Sequence, residues 1–142
     1  MDMLKKPCAF LALAATMAFG QNALAACANL NVSSSGGMLT SGQQTNVYGP
    51  FNVSCLGPQT FTFQDLSGNK PTTVLTHYIE QNVRGSWKIV SSTVSNGASS
   101  VNRSFYPSEK GEYRYRIVNT GTTELRNWRM EGRITLFTIP GT

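Results

Sequence analysis

The segment Gly111 to Asn119, GEYRYRIVN, alternates with a period of two: Tyr113, Tyr115 and Ile117 fall on one side, Glu112, Arg114, Arg116 and Val118 on the other. Successive side chains of an extended strand point to opposite faces, so the segment predicts a central strand with one face in a core. No stretch longer than ten residues keeps apolar residues at helical spacing. The chain is therefore expected to build its core from strands alone.

Other segments agree. Leu30 and Val32 alternate within a polar, Ser-rich and Gly-rich stretch, which predicts an edge or tethering strand followed by a loop through Gly36-Gly37. Asn46 to Tyr48 and Phe51 to Cys55 are β-favourable runs separated by Gly49-Pro50. Phe51, Val53 and Cys55 share one parity, which places the thiol toward the core. Thr60 to Gln64 puts Phe61 and Phe63 on one face and is followed by a turn from Asp65 to Asn69. Thr72 to Glu80 is rich in β-branched residues, which lose side-chain freedom in a helix, so strand is favoured. Trp87 to Val94 is another strand, and Asn96-Gly97 reads as a hairpin turn joining it to a strand through Val101, Arg103 and Phe105. After a turn at Asn119-Thr120-Gly121, Leu125 to Met130 and Arg133 to Ile139 read as two further strands.

The amino end has a different character. Lys5 and Lys6 precede an apolar run from Cys8 to Gly20, and Ala23-Leu24-Ala25 has the small-x-small form of a signal-peptidase site. Residues 1–25 are read as a signal peptide and 26–142 as a single β-sandwich domain, with no transmembrane segment in the mature chain. Leu24-Ala25-Ala26-Cys27 also resembles the lipobox of bacterial lipoproteins, so the expectation is a secreted or periplasmic protein, with lipid anchoring through Cys27 as the alternative. A leader of 25 removed from 142 residues leaves 117, one ordinary domain. Loss of Lys5, Lys6 and Asp2 takes the formal charge from +5 to +4, too mild and diffuse for a nucleic-acid surface.

Cys8 leaves with the leader. Cys27 and Cys55 remain, in a compartment where disulfides persist, and are read as a bridge inside the core; two free thiols are the alternative.

The run Glu109-Lys110-Gly111-Glu112-Tyr113 resembles the acidic-x-Gly-x-Tyr approach to strand F of immunoglobulin-like domains. The resemblance implies that Tyr113 hydrogen-bonds back across the corner. Tyr115 stands where antibody domains carry their second core cysteine, so the Cys27–Cys55 pair is read as a link between early strands. Together with short strands at intervals of eight to twelve residues, it gives the expected fold: an all-β, antiparallel, immunoglobulin-like β-sandwich of about 7–9 short strands.

Constellations for chemistry are sparse. His77 is the single histidine and no carboxylate cluster flanks the cysteines, so neither a metal site nor a cofactor is expected. The acidic residues are isolated, and neither a nucleophile elbow nor a phosphate-binding glycine loop occurs, so no catalytic residue is assigned and no enzyme is expected. Candidate binding residues are Arg114, Arg116, Arg126, Arg129 and Arg133, which share one sheet face if their segments pair as a hairpin, and Trp87 and Trp128, for which core packing is favoured and a solvent-facing place at a sheet edge is the alternative. The expected partner is a protein or an anionic surface, with self-assembly possible and nucleic acid excluded. The leading functional expectation is an exported, noncatalytic binding or protein-interaction domain of the bacterial envelope or extracellular space. The alternative is a structural subunit of a surface fibre, pilus or coat, since strand addition links such subunits.

Overall fold

The computed structural model describes residues 26–68 and 72–138; the expected signal peptide and the turn expected at Pro140-Gly141 lie outside the described residues. Eight strands are present: β1 (Ala26–Gly36), β2 (Gln44–Val53), β3 (Gln59–Asp65), β4 (Val74–Val83), β5 (Ser86–Asn96), β6 (Ser100–Phe105), β7 (Gly111–Asn119) and β8 (Trp128–Thr138). They form two four-stranded antiparallel sheets, ordered β1-β8-β3-β6 and β2-β7-β4-β5. The pairs nest: β4 with β5, β3 with β6, β2 with β7, β1 with β8. This is a long hairpin rolled into a double sheet, the arrangement of a jelly roll. The expected all-β antiparallel sandwich is present.

The innermost hairpin turns at Arg84-Gly85, both in the left-handed region with φ of 55° and 85°. Two such residues make the tight turn whose twist matches the flanking strands. Asn82 Oδ1 accepts the Gly85 N–H at 2.9 Å and fixes the turn. The Asn96-Gly97 signal predicts a hairpin at that point instead. There the chain passes from one sheet to the other: β5 pairs with β4 and β6 with β3, so β5 and β6 face each other across the sandwich.

Two further boundaries differ from expectation. The runs on either side of Gly49-Pro50 are one strand, β2, with register shifts between Asn46 and Phe51. The two expected C-terminal strands are likewise one, β8, while Leu125 makes an isolated bridge to Leu39. Gly132 lets β8 run unbroken against β3, because a Cβ there would lie 2.6 Å from the Thr60 carbonyl oxygen and 2.8 Å from Phe61 Cδ1.

The core lies between the sheets. Phe61 and Phe63 from β3, Met130 and Ile134 from β8, Leu75 and Ile79 from β4, and Tyr113, Tyr115 and Ile117 from β7 are all buried. Each large side chain sealed here contributes about 1.5–3 kcal/mol of burial free energy. Trp128 belongs to this core, stacked on Phe63 with centroids 5.6 Å apart, which is the favoured of its two expected uses and leaves it no part in a binding surface. The Tyr113 hydroxyl donates to the Glu109 carbonyl at 2.7 Å, so the corner bond expected from sequence is made.

Cys27 and Cys55 are bonded, with Cα atoms 5.8 Å apart. The bridge sits on the rim instead of inside the core: Cys55 is buried, but Cys27 is exposed on β1, an edge strand that pairs only with β8.

Candidate functional site

The outer face of the β2-β7-β4-β5 sheet carries a compact charged and aromatic cluster. Cross-strand register sets Glu80 of β4 opposite Arg114 of β7, and Tyr78 opposite Arg116. Both guanidiniums turn onto the carboxylate: Arg114 Nε donates to Glu80 Oε1 at 2.9 Å, Arg116 Nε to Oε1 at 2.7 Å, and Arg116 Nη2 to Oε2 at 3.0 Å. Arg114 also lies over Trp87, 4.2 Å from the ring centroid, and Arg116 over Tyr78 at 4.6 Å. The Glu80 carboxyl, with only 5% of its side chain exposed, is held below its ordinary pKa by the hydrogen bonds from Arg116 and Arg114, against the opposing effect of burial. Two cations share this anion on a stiff, ring-backed frame, and Glu112, on the same side of β7, accepts from Asn82 Nδ2 at 2.9 Å.

The structure divides the expected arginine face. β7 and β8 lie in different sheets, so Arg114 and Arg116 are on one outer surface and Arg129 and Arg133 on the opposite one. Arg129 donates to Gln64 Oε1 at 2.9 Å. Arg133 lines a shallow depression of about 530 Å³ above Gly132, with Thr60, Thr62 and Asn31. Arg126, in the loop before β8, pairs with Glu124 at 3.6 Å. Of the two tryptophans only Trp87 reaches the arginine cluster.

Beside that cluster runs β5, whose outer edge pairs with no other described strand. Ile89, Val90 and Val94 are 55%, 41% and 60% exposed there, an apolar fringe continuous with Trp87 and Tyr78.

A second polar constellation, none of whose members is among the candidate binding residues, lies between the inner faces of β5 and β6. Arg103 is buried, and it donates from Nη2 to Ser91 Oγ at 2.6 Å and from Nη1 to Thr93 Oγ1. Deeper in, His77 Nδ1 is 2.6 Å from the Tyr115 hydroxyl and Nε2 is 2.8 Å from Ser95 Oγ. Burial, reinforced by the Arg103 charge, lowers the His77 pKa to about 4, and burial raises that of Tyr115. The pattern was present in the sequence as Ser91, Thr93 and Ser95 at alternate positions, with Arg103 sharing the parity of Val101 and Phe105.

Among the described residues no cluster of three or more His, Cys, Asp or Glu side chains could hold a metal ion, and no helix is long and apolar enough to cross a membrane.

No protein-family model matches the chain, and no curated protein matches it. Among solved structures, the chain is similar to one described as "Bacillus endospore appendages form a novel family of disulfide-linked pili", with a TM-score of 0.50 and 16% identity over 81% of this chain and 93% of that one. It also aligns with the crystal structure of PirA, with a TM-score of 0.43 and 12% identity over 76% of this chain and 92% of that one. At such identity the first likeness concerns the fold.

Proposed function

We propose that the chain is a noncatalytic structural subunit, exported to the cell envelope or beyond, that assembles with copies of itself into a surface fibre. The observation that carries this reading is the open β5 edge. Edge strands of monomeric proteins are kept short, charged or covered. β5 runs for 11 residues, bears a single charge at Lys88, and presents Ile89, Val90 and Val94 to solvent. An edge strand of a second copy completes its backbone hydrogen bonds while the apolar fringe is buried. When the added strand is a different edge, such as β2 at the other side of the same sheet, the contact is head-to-tail, and head-to-tail contacts that do not close into a ring give filaments. The fold likeness to a subunit of disulfide-linked pili agrees with this assembly, and the Cys27–Cys55 bond suits an oxidising compartment. The same bond occupies the sulfur that a lipid thioether on Cys27 needs, which favours the form without a lipid anchor.

A partner-binding domain acting through one broad arginine face has less support, because the arginines are divided between two surfaces and Arg114 and Arg116 already engage Glu80. The test is assembly of the exported, oxidised protein, followed by sedimentation and electron microscopy over a concentration series. Wild type is expected to form filaments, and Ile89→Lys combined with Val94→Lys to remain a folded monomer. A wild type that stays monomeric at its highest soluble concentration, or filaments indifferent to the two lysines, overturns the reading.

A further inference from the structure

Arg103 is an unusual buried charge. Only 8% of its surface is exposed, no described carboxylate pairs with it, and its Nε is shut away from solvent without any acceptor. Its acceptors are two neutral hydroxyls, of Ser91 and Thr93. A buried cation without an anion is costly, and an orphaned buried donor adds to that cost. The surroundings supply no compensation of opposite sign: His77 holds no negative charge and Tyr115 stays protonated.

The hydroxyls also have capacity left over. A serine or threonine oxygen that accepts from a guanidinium keeps its own O–H free to donate. Ser91 and Thr93 are half-buried on the outermost strand of their sheet, at the open side of the sandwich. Where β5 faces β6, a guanidinium and two hydroxyls therefore meet with no described carboxylate paired to the charge.

We propose that this cluster at the β5–β6 side of the sandwich is a binding site for a small oxyanion, with Arg103 as the charge-bearing ligand and Ser91 and Thr93 as flanking donors. A carboxylate or an inorganic oxyanion fits the paired N–H geometry of a guanidinium. The site stands independently of fibre assembly.

The experiment follows the Arg103 Nε–H resonance of the full exported protein by NMR, using the Ile89→Lys, Val94→Lys double variant in dilute solution so that assembly plays no part. Sodium acetate and sodium phosphate are titrated separately at pH 6 and constant ionic strength, set with chloride. The expected result is a saturable shift of that resonance and of the Ser91 and Thr93 amides, with a rise in Tm that Arg103→Gln abolishes. Saturation by acetate alone assigns the carboxylate class; saturation by both assigns oxyanions generally. No saturable movement with either salt overturns the proposal, as does an equal rise in Tm in Arg103→Gln. Should that variant fail to fold, the Nε–H titration of the parent protein decides the matter.

Discussion

Arg116 holds Glu80 with two parallel donors, Nε 2.7 Å from Oε1 and Nη2 3.0 Å from Oε2, across adjacent strands of one sheet. Arg114 shares Oε1, and both guanidiniums are backed by aromatic rings. The arrangement explains how a carboxylate with little exposure remains ionised on a sheet face, and it ties β4 to β7 more firmly than backbone pairing alone.

The Glu80 pair is expected to stabilise the fold in a pH-dependent way. The folded carboxyl titrates below its ordinary value, so its contribution is complete above that value and is lost as the pH falls through the folded pKa. Glu80→Gln should lower stability by about 1–3 kcal/mol at pH 7. Urea denaturation of both proteins at pH 7 and in acid should show this gap closing as Glu80 becomes protonated.

His77 acts over a higher range. Burial keeps it neutral down to about pH 4 in the fold, against an ordinary value of 6.5. The unfolded chain therefore binds a proton that the folded chain refuses between those values, and stability falls as the pH drops through that window, by about 3 kcal/mol. His77→Gln, which retains a donor and an acceptor for Ser95 and Tyr115, should flatten this slope. Thermal melts between pH 7 and pH 4 measure it directly.

The disulfide holds an edge strand that buries little. No described side chain of β1 is fully buried, and Val32 touches the core only in part. Closing a sequence separation of 28 residues is worth roughly 3–4 kcal/mol in the chain-entropy model. Cys27→Ser with Cys55→Ser should lose about that much in urea denaturation, and amide exchange should rise first along β1.

Strand identity was legible where one face is apolar and the other polar. Tyr113, Tyr115 and Ile117 announced β7, and Phe61 with Phe63 announced β3, because period-two burial is a local property. Pairing was less legible. Asn96-Gly97 and Arg84-Gly85 both reverse the chain, but only the second joins neighbours in one sheet, and turn chemistry does not record whether the departing strand stays in its sheet or crosses to the other. The separation of Arg114 from Arg133 followed from the same gap, since sheet membership depends on nested pairing across the whole chain. Arg103 was obscured for another reason: a charged residue sharing parity with Val101 and Phe105 looks like a faulty pattern until the facing hydroxyls of β5 are in view.

The nesting also sets an order of arrival. Among the described strands β1 pairs with β8 alone, so the first residues of the domain to emerge during synthesis wait, unzipped, for the last. Local hairpins such as β4 with β5 form early at small entropic cost, whereas this closing seam joins the two ends of the domain and makes for a slow folder. A chain cut short before Trp128 leaves its opening strand without its ladder, held by the bond from Cys27 to Cys55 and the partial packing of Val32.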